Sequence, residues 1–175
     1  MAHRPYPIRV ARPADAPVIS DVHQASREAL YRGRVPDALV DALTPRDRLV
    51  RWMAWLADPT IFTVVGEEDG RIVGFGTLRA AVDADLQGVR VAEMPTLYLH
   101  PSFWRRGWGN ALCAAIEAEA VRQGYDTLVL WVMEMNDGAR AFYASRGFVE
   151  DGAEKTDTAP EPTTLKALRY RKSLP

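Results

Sequence analysis

Two groups of residues in this chain have the types and spacing to do chemistry. The first is Arg105-Arg106-Gly107-Trp108-Gly109-Asn110, which follows closely on Pro95-Thr-Leu-Tyr-Leu-His-Pro101. That order reads as a strand, a short turn, and a glycine-and-arginine loop opening into a helix. The first amides of a helix lack an intrahelical acceptor, so they point outward and bind anions, and two arginines alongside add charge. Glycine lets the main chain come close to a phosphate with no side chain in the way. The stretch therefore suits a phosphorylated ligand held at the end of a strand. It is not a P-loop, because no Gly-Lys-Ser/Thr follows. Nor is it the dinucleotide fingerprint, because Asn110-Ala111-Leu112 comes next with no third glycine. Taken alone, such a Gly-x-Gly is more readily a tight turn capping a helix.

The second group is Asn136-Asp-Gly-Ala139-Arg-Ala-Phe142-Tyr143-Ala-Ser-Arg-Gly147-Phe148. With both groups in this order the chain resembles the GNAT superfamily of acyl-CoA-dependent N-acetyltransferases. Members carry a Q/R-x-x-G-x-G/A loop and, some thirty residues later, N-x-x-A-x-x-F-Y-x-x-x-G-F. The second pattern is complete here. The first departs at its opening position, which falls on Trp104, while Arg105, Arg106, Gly107 and Gly109 match. The segment Val22 to Gly33 is also similar to the opening of many bacterial members, which commonly carry tryptophan where this chain has Arg27.

The resemblance implies an α+β fold of GNAT type: a mixed central sheet with helices on both faces, its central strands splayed to admit the cofactor. It implies transfer of an acetyl group from acetyl-CoA to a primary amine of an unidentified acceptor, small molecule or peptide, directly within a ternary complex. The pyrophosphate would lie on the amides of Arg105, Arg106, Gly107, Trp108, Gly109 and Asn110. The pantetheine arm would run along the backbone of Leu97, Tyr98 and Leu99, and Asn136 would hydrogen-bond the cofactor while also serving as a helix cap. Tyr143 is the expected acid, since a phenol with pKa near 10 carries its proton at neutral pH and can protonate a leaving thiolate of pKa about 8.5. An alkylammonium must lose a proton before it attacks. Glu93, near the start of the strand leading to the loop, is the expected base, with Glu134 the runner-up. His100 has suitable chemistry, but His-Pro at a strand end reads as a turn. Tyr31 and the segment 32–36 occupy the position of the acceptor wall. A rival of another class is a module that binds or senses acyl-CoA without catalysis. A third reading, a nucleotide-binding domain, lacks both phosphate-loop signatures.

Composition narrows the setting. The 175 residues suit one domain spanning 1–175, and the apolar share of 47% and charged share of 26% are ordinary for a globular protein. A net charge of −1 makes no field that recruits nucleic acid or an anionic membrane. Cys113 is the single cysteine and the three histidines are scattered, so neither an intrachain disulfide nor a clustered metal site is expected. With no long apolar run and no signal-like core, a cytoplasmic location is expected. Many relatives of this type form homodimers.

The elements that must position these groups follow from pattern. Ile8 to Arg12 reads as a strand, and Asp15 with Pro17 opens a helix with Val18, Val22, Ala25 and Ala29 as its apolar stripe. Thr44-Pro45 is a second helix start, with Leu49, Trp52, Met53 and Leu56 inward. Asp69-Gly70 joins two strands, 61–65 and 71–82, in a hairpin. One strand is expected from Val91 to Leu99. A helix then carries Leu112, Ile116 and Ala120 to a stop at Gly124. The apolar run Thr127–Met133 suits a strand covered on both faces. A short helix reaches through Phe142, a strand begins at Phe148, Asp151 to Thr163 reads as a polar loop, and Leu165 to Lys172 closes as a strand. Cys113 reads as a small core residue, Trp52 and Trp55 as packing, and Lys166, Arg169, Arg171 and Lys172 as a solvated strand face.

Overall fold

A computed structural model describes residues 6–158 and 164–175. In chain order the elements are β1 (Ile8–Val10), α1 (Ala16–Tyr31), α2 (Asp37–Val40), α3 (Pro45–Ala57), β2 (Phe62–Glu68), β3 (Arg71–Ala80), β4 (Val91–Glu93), β5 (Leu97–Leu99), α4 (Trp108–Arg122), β6 (Thr127–Met133), α5 (Asp137–Ser145), β7 (Val149–Thr158) and β8 (Thr164–Ser173). The strands form one mixed sheet in the order β1-β2-β3-β4-β6-β8-β7, with β5 also paired to β3. The β4–β6 pair is parallel and the others are antiparallel.

Alternation along β2 and β3 sends successive side chains to opposite faces, and each face has its own helices. Val65 and Phe75 pack with Ala16, Ile19 and Val22 of α1 and Trp52 of α3. Val64 and Leu78 face the other way, onto Leu112, Ile116 and Ala120 of α4, together with Leu128, Leu130 and Phe148. Fully burying a leucine or isoleucine stabilises by about 1.5–3 kcal/mol, so the α4 stripe is a main source of cohesion. Gly74 and Gly76 on β3 make its close approach possible. A Cβ at Gly74 would run into Leu99 and meet Leu112 at 3.1 Å, and one at Gly76 would meet Ile116 at 3.3 Å.

Local signals in the sequence act as written in several places. Thr44 caps α3, its hydroxyl accepting from the Asp47 amide at 3.1 Å. Asp69 and Gly70 both take positive φ, 50° and 74°, as a tight hairpin of this type requires. Gly124 stops the α4 segment at φ 86°.

Five expectations are corrected. Met53 is 56% exposed, and the inward side of α3 is Leu49, Trp52, Trp55 and Leu56. The inward stripe of α1 is Ala16, Ile19, Val22 and Ser26, whereas Val18 is 42% exposed. The expected single strand 91–99 is two strands broken at Met94–Thr96, where Pro95 has no N–H to give a ladder. Both pieces remain paired to β3. The segment 151–158 is the continuation of β7, held by its ladder to β8 with a bulge between Glu150 and Glu154. The remainder of that expected loop, 159–163, lies outside the described residues. Finally, Arg169 is not on a solvated face. It is 5% exposed and its guanidinium donates to Asp151 at 2.7 Å, Asp85 at 2.6 Å and Asp83 at 3.3 Å. A polar run thus pairs as strand because backbone bonds and ion pairs, rather than apolar burial, hold it.

Candidate active site

The break at Met94–Thr96 opens the sheet. The last rung between β4 and β6 is the Met94 amide on the Val129 carbonyl at 2.8 Å. Beyond it β5 stays with β3 while β6 stays with β8, and the two diverge. Backbone bonding alternates along an antiparallel strand, so the side facing the gap can be read off. Thr96 accepts from Thr77 and the His100 amide donates to Val73, so residues 96, 98 and 100 are turned to β3. Leu97 and Leu99 therefore direct their N–H and C=O groups into the gap. On β6 the Glu134 amide donates to Lys166, which turns even-numbered positions to β8 and leaves Trp131 and Met133 turned to the gap. The expected splay is present, and of the three β5 residues Leu97 and Leu99 are turned to the gap, the Leu99 carbonyl accepting from the Trp104 indole, while Tyr98 completes the sheet.

A cleft of about 810 Å³ fills this wedge. Leu97, Tyr98, Leu99, Arg105, Gly107, Gly109, Asn110, Asn136 and Tyr143 all line it. At one end stands the N-terminus of α4. Gly107 is its N-cap at φ 90° with no side-chain cap, so the first helical amides keep their outward direction. Two residues of the loop are engaged elsewhere by their side chains. Arg106 donates to Glu68 at 2.9 Å and lies 4.8 Å over the Phe103 ring. Trp108 is 3% exposed, edge-on to Tyr6 at 4.9 Å between ring centroids. Only their main-chain groups remain for a ligand. Arg105, at φ 57°, is the arginine whose side chain reaches the cleft lining. Uncapped amides at the start of α4 together with one arginine fit a pyrophosphate.

Toward the middle, Asn136 caps α5 by accepting from the Ala139 amide at 3.1 Å, and its side chain also hydrogen-bonds Tyr31. Tyr143 is 9% exposed, with Phe142 and Phe148 at 5.3 and 5.8 Å between ring centroids. Burial pushes its phenol pKa far above the usual value, with Cys113, Tyr98 and Tyr31 adding to the effect, so it stays protonated.

The carboxylates do not enter the lining. Glu93 is 5% exposed and bound by Arg79, at 2.9 Å from Nε and 2.8 Å from a terminal nitrogen. Glu134 is exposed and pairs with Lys166 at 3.5 Å. His100 accepts from the Ser102 amide at 3.3 Å and caps the turn after β5. Ser26, Met94 and Met133 also line the cleft, although no motif marks them. Arg27 and Trp131 join them, the first set apart in sequence only by replacing a common tryptophan. Alternation along β6 is the signal that places Trp131 on the face opposite Leu130 and Val132. Its indole N–H donates to Asp83 at 3.0 Å, with the Lys155 ammonium 3.9 Å over the ring.

Known proteins share this fold. An uncharacterized N-acetyltransferase of Mycobacterium tuberculosis is 33% identical over 102 residues, covering 58% of this chain and 62% of the relative. The match thus spans less than two thirds of the relative's length. The crystal structure of a GCN5-related N-acetyltransferase from Rhodopseudomonas palustris superposes with TM-score 0.76 at 24% identity, covering 99% of both chains. A putative acetyltransferase of Salmonella typhimurium, solved with its cofactor acetyl-CoA, gives TM-score 0.73 at 20% identity, covering 98% of this chain and 95% of that one. At such identities the likeness is one of fold. The model of the acetyltransferase (GNAT) family matches residues 27–148, well over half of the chain. This chain belongs to the acetyltransferase (GNAT) family.

Proposed function

We propose that this protein is an N-acetyltransferase that moves an acetyl group from acetyl-CoA to a primary amine, both substrates being held together in the cleft. The observation that carries the proposal is the wedge between β5 and β6, with the strand edges at Leu97, Leu99, Trp131 and Met133 turned to it and an uncapped helix at one end. Solved structures of the same fold include one in complex with coenzyme A and one with acetyl-CoA, which supports the same ligand here.

In this reading the pyrophosphate rests on the main-chain amides of residues 105–110, with the Arg105 side chain adding charge. The pantetheine arm pairs with the gap-facing main chain of Leu97 and with the Leu99 amide. Acetyl-CoA supplies the acyl group as a thioester. Backbone N–H groups facing the gap stabilise the charge that develops on the thioester oxygen, an arrangement effective because it is fixed beforehand and shielded from water. As the amine nitrogen bonds the carbonyl carbon and the carbon–sulfur bond breaks, the Tyr143 hydroxyl gives its proton to the departing sulfur. The proton released by the amine returns through solvent to the phenolate. Glu93, tied to Arg79 and set back from the lining, acts as base only through water.

Titration calorimetry with acetyl-CoA tests the reading, with CoA, NADH and ATP as controls. Saturable one-to-one binding of the CoA species is expected, followed by thiol release with an amine acceptor. Absence of binding to folded protein overturns it. Binding of CoA with no turnover of any amine would favour the non-catalytic module instead.

A further inference from the structure

The half of the cleft remote from Arg105 is walled by Ser26, Arg27, Tyr31 and Leu39, with Met94 and Trp131 opposite. Among the described residues that line the cleft there is no aspartate or glutamate, and the arginines are Arg27 and Arg105. Arg105 belongs to the phosphate end, so Arg27 is the cation of the acceptor half. One terminal nitrogen of Arg27 donates to the Leu39 carbonyl at 2.8 Å, and its guanidinium carbon lies 6.0 Å over the Tyr31 ring. The fork is thus fixed in place with donors left over. The charges of Arg27, Arg51 and Arg48 also act together on half-buried His23.

Resting on the function proposed above, we infer that the acceptor is a free amino acid with an apolar side chain, its carboxylate bound by Arg27. Two features of the wall converge on this. Among the described residues that line the cleft, a polycation such as a polyamine or an aminoglycoside would meet positive charge and no acidic partner, at a cost in desolvation that nothing there repays. A carboxylate offered to a guanidinium gains paired, charge-assisted hydrogen bonds. Leu39, Met94 and Trp131 then receive the apolar side chain.

The experiment measures thiol release with acetyl-CoA and leucine, methionine, phenylalanine or tryptophan, against leucinamide, 3-methylbutylamine and spermidine. The expected result is a kcat/KM, counted per unprotonated amine, for the best amino acid at least about tenfold above that for its amide, the size expected of a hydrogen bond to a charged group. In Arg27→Met that ratio should fall to near one, and Arg27→Lys should restore part of it. Acetyl-CoA calorimetry on each variant reports folding and the other half of the cleft. Preference for spermidine or a neutral amine overturns the inference, as does an Arg27→Met effect equal on acid and amide. So does acetyl-CoA binding with no turnover of any of the four amino acids. Failure of the wild type to bind acetyl-CoA at all would instead sink the proposed function beneath it.

Discussion

The indole N–H of Trp104 donates to the carbonyl of Leu99 at 2.9 Å, joining the loop before α4 to the end of β5. Trp104 stands where the resemblance places a glutamine or arginine that would face the pyrophosphate. In this chain that position is a brace: it fixes the distance between the strand edge at Leu99 and the amides of α4. Trp104→Phe should keep the ring and lose the bond. We expect acetyl-CoA affinity to weaken by about 3–10-fold, in line with the loss of one net hydrogen bond of about 0.5–1.5 kcal/mol, with kcat little changed. Calorimetry and steady-state kinetics with acetyl-CoA varied check this.

Tyr143→Phe removes the proposed acid without changing the packing against Phe142 and Phe148. kcat should fall by about 10²-fold or more, the usual contribution of general acid catalysis, while acetyl-CoA binding stays within about threefold. Burial holds the phenol protonated well above its usual range. The wild-type rate should therefore show no alkaline loss from Tyr143 ionisation up to about pH 10. Unchanged turnover in the variant would remove Tyr143 from the mechanism.

Gly107→Ala meets two obstacles. The residue has φ 90°, and its Cβ would collide with the Tyr6 hydroxyl, which donates to the Arg106 carbonyl at 2.7 Å. Strain at positive φ costs about 1–3 kcal/mol, and the displaced Tyr6 adds to it. Urea unfolding should show a loss of that order, and acetyl-CoA affinity should fall because the loop amides move.

His23 gives stability a pH dependence. Its pKa is lowered to about 4, first by burial and then by Arg27, Arg51 and Arg48, and its Nδ1 accepts from the Trp52 indole at 3.3 Å. The folded chain keeps the imidazole neutral, whereas the unfolded chain takes up a proton below about pH 6.5. The unfolded state then binds more protons, so stability falls as pH drops from about 6.5 toward 4, by up to about 1.4 kcal/mol per pH unit. His23→Gln should flatten that limb in denaturant titrations across this window.

Glu93→Gln distinguishes a structural carboxylate from a base. It breaks the contact with Arg79 at a buried position, and should cost about 1–3 kcal/mol of stability. kcat/KM should fall less than about tenfold if the amine loses its proton to water. A loss of several hundredfold with native stability would make Glu93 the base.

Short-range signals in the sequence determine much of the fold and one end of the site. Thr44-Pro45, Asp69-Gly70 and Gly124 act as their residue types dictate, because caps and tight turns depend on neighbours only a few residues away. The Leu112–Ile116–Ala120 stripe and the run Thr127–Met133 announce their faces by period and by length. The glycines and arginines after Pro101 lie at the mouth of a cleft, because a helix N-terminus exposes its amides whatever surrounds it.

Tertiary structure decided the rest, where an outcome depended on partners far along the chain. Arg169 looks like any strand arginine until Asp83, Asp85 and Asp151 converge on it. The acidic and glycine-bearing run after Asp151 becomes strand because β8 offers a ladder. The gap itself depends on β5 choosing β3 while β6 chooses β8, a competition between hydrogen-bond partners that no local pattern records. Glu93 and Arg27 show the same division. Their sequence neighbours mark both as ordinary charged residues. Pairing across strands draws Glu93 away to Arg79, and the packing of α1 and α2 sets Arg27 in the wall of the cleft.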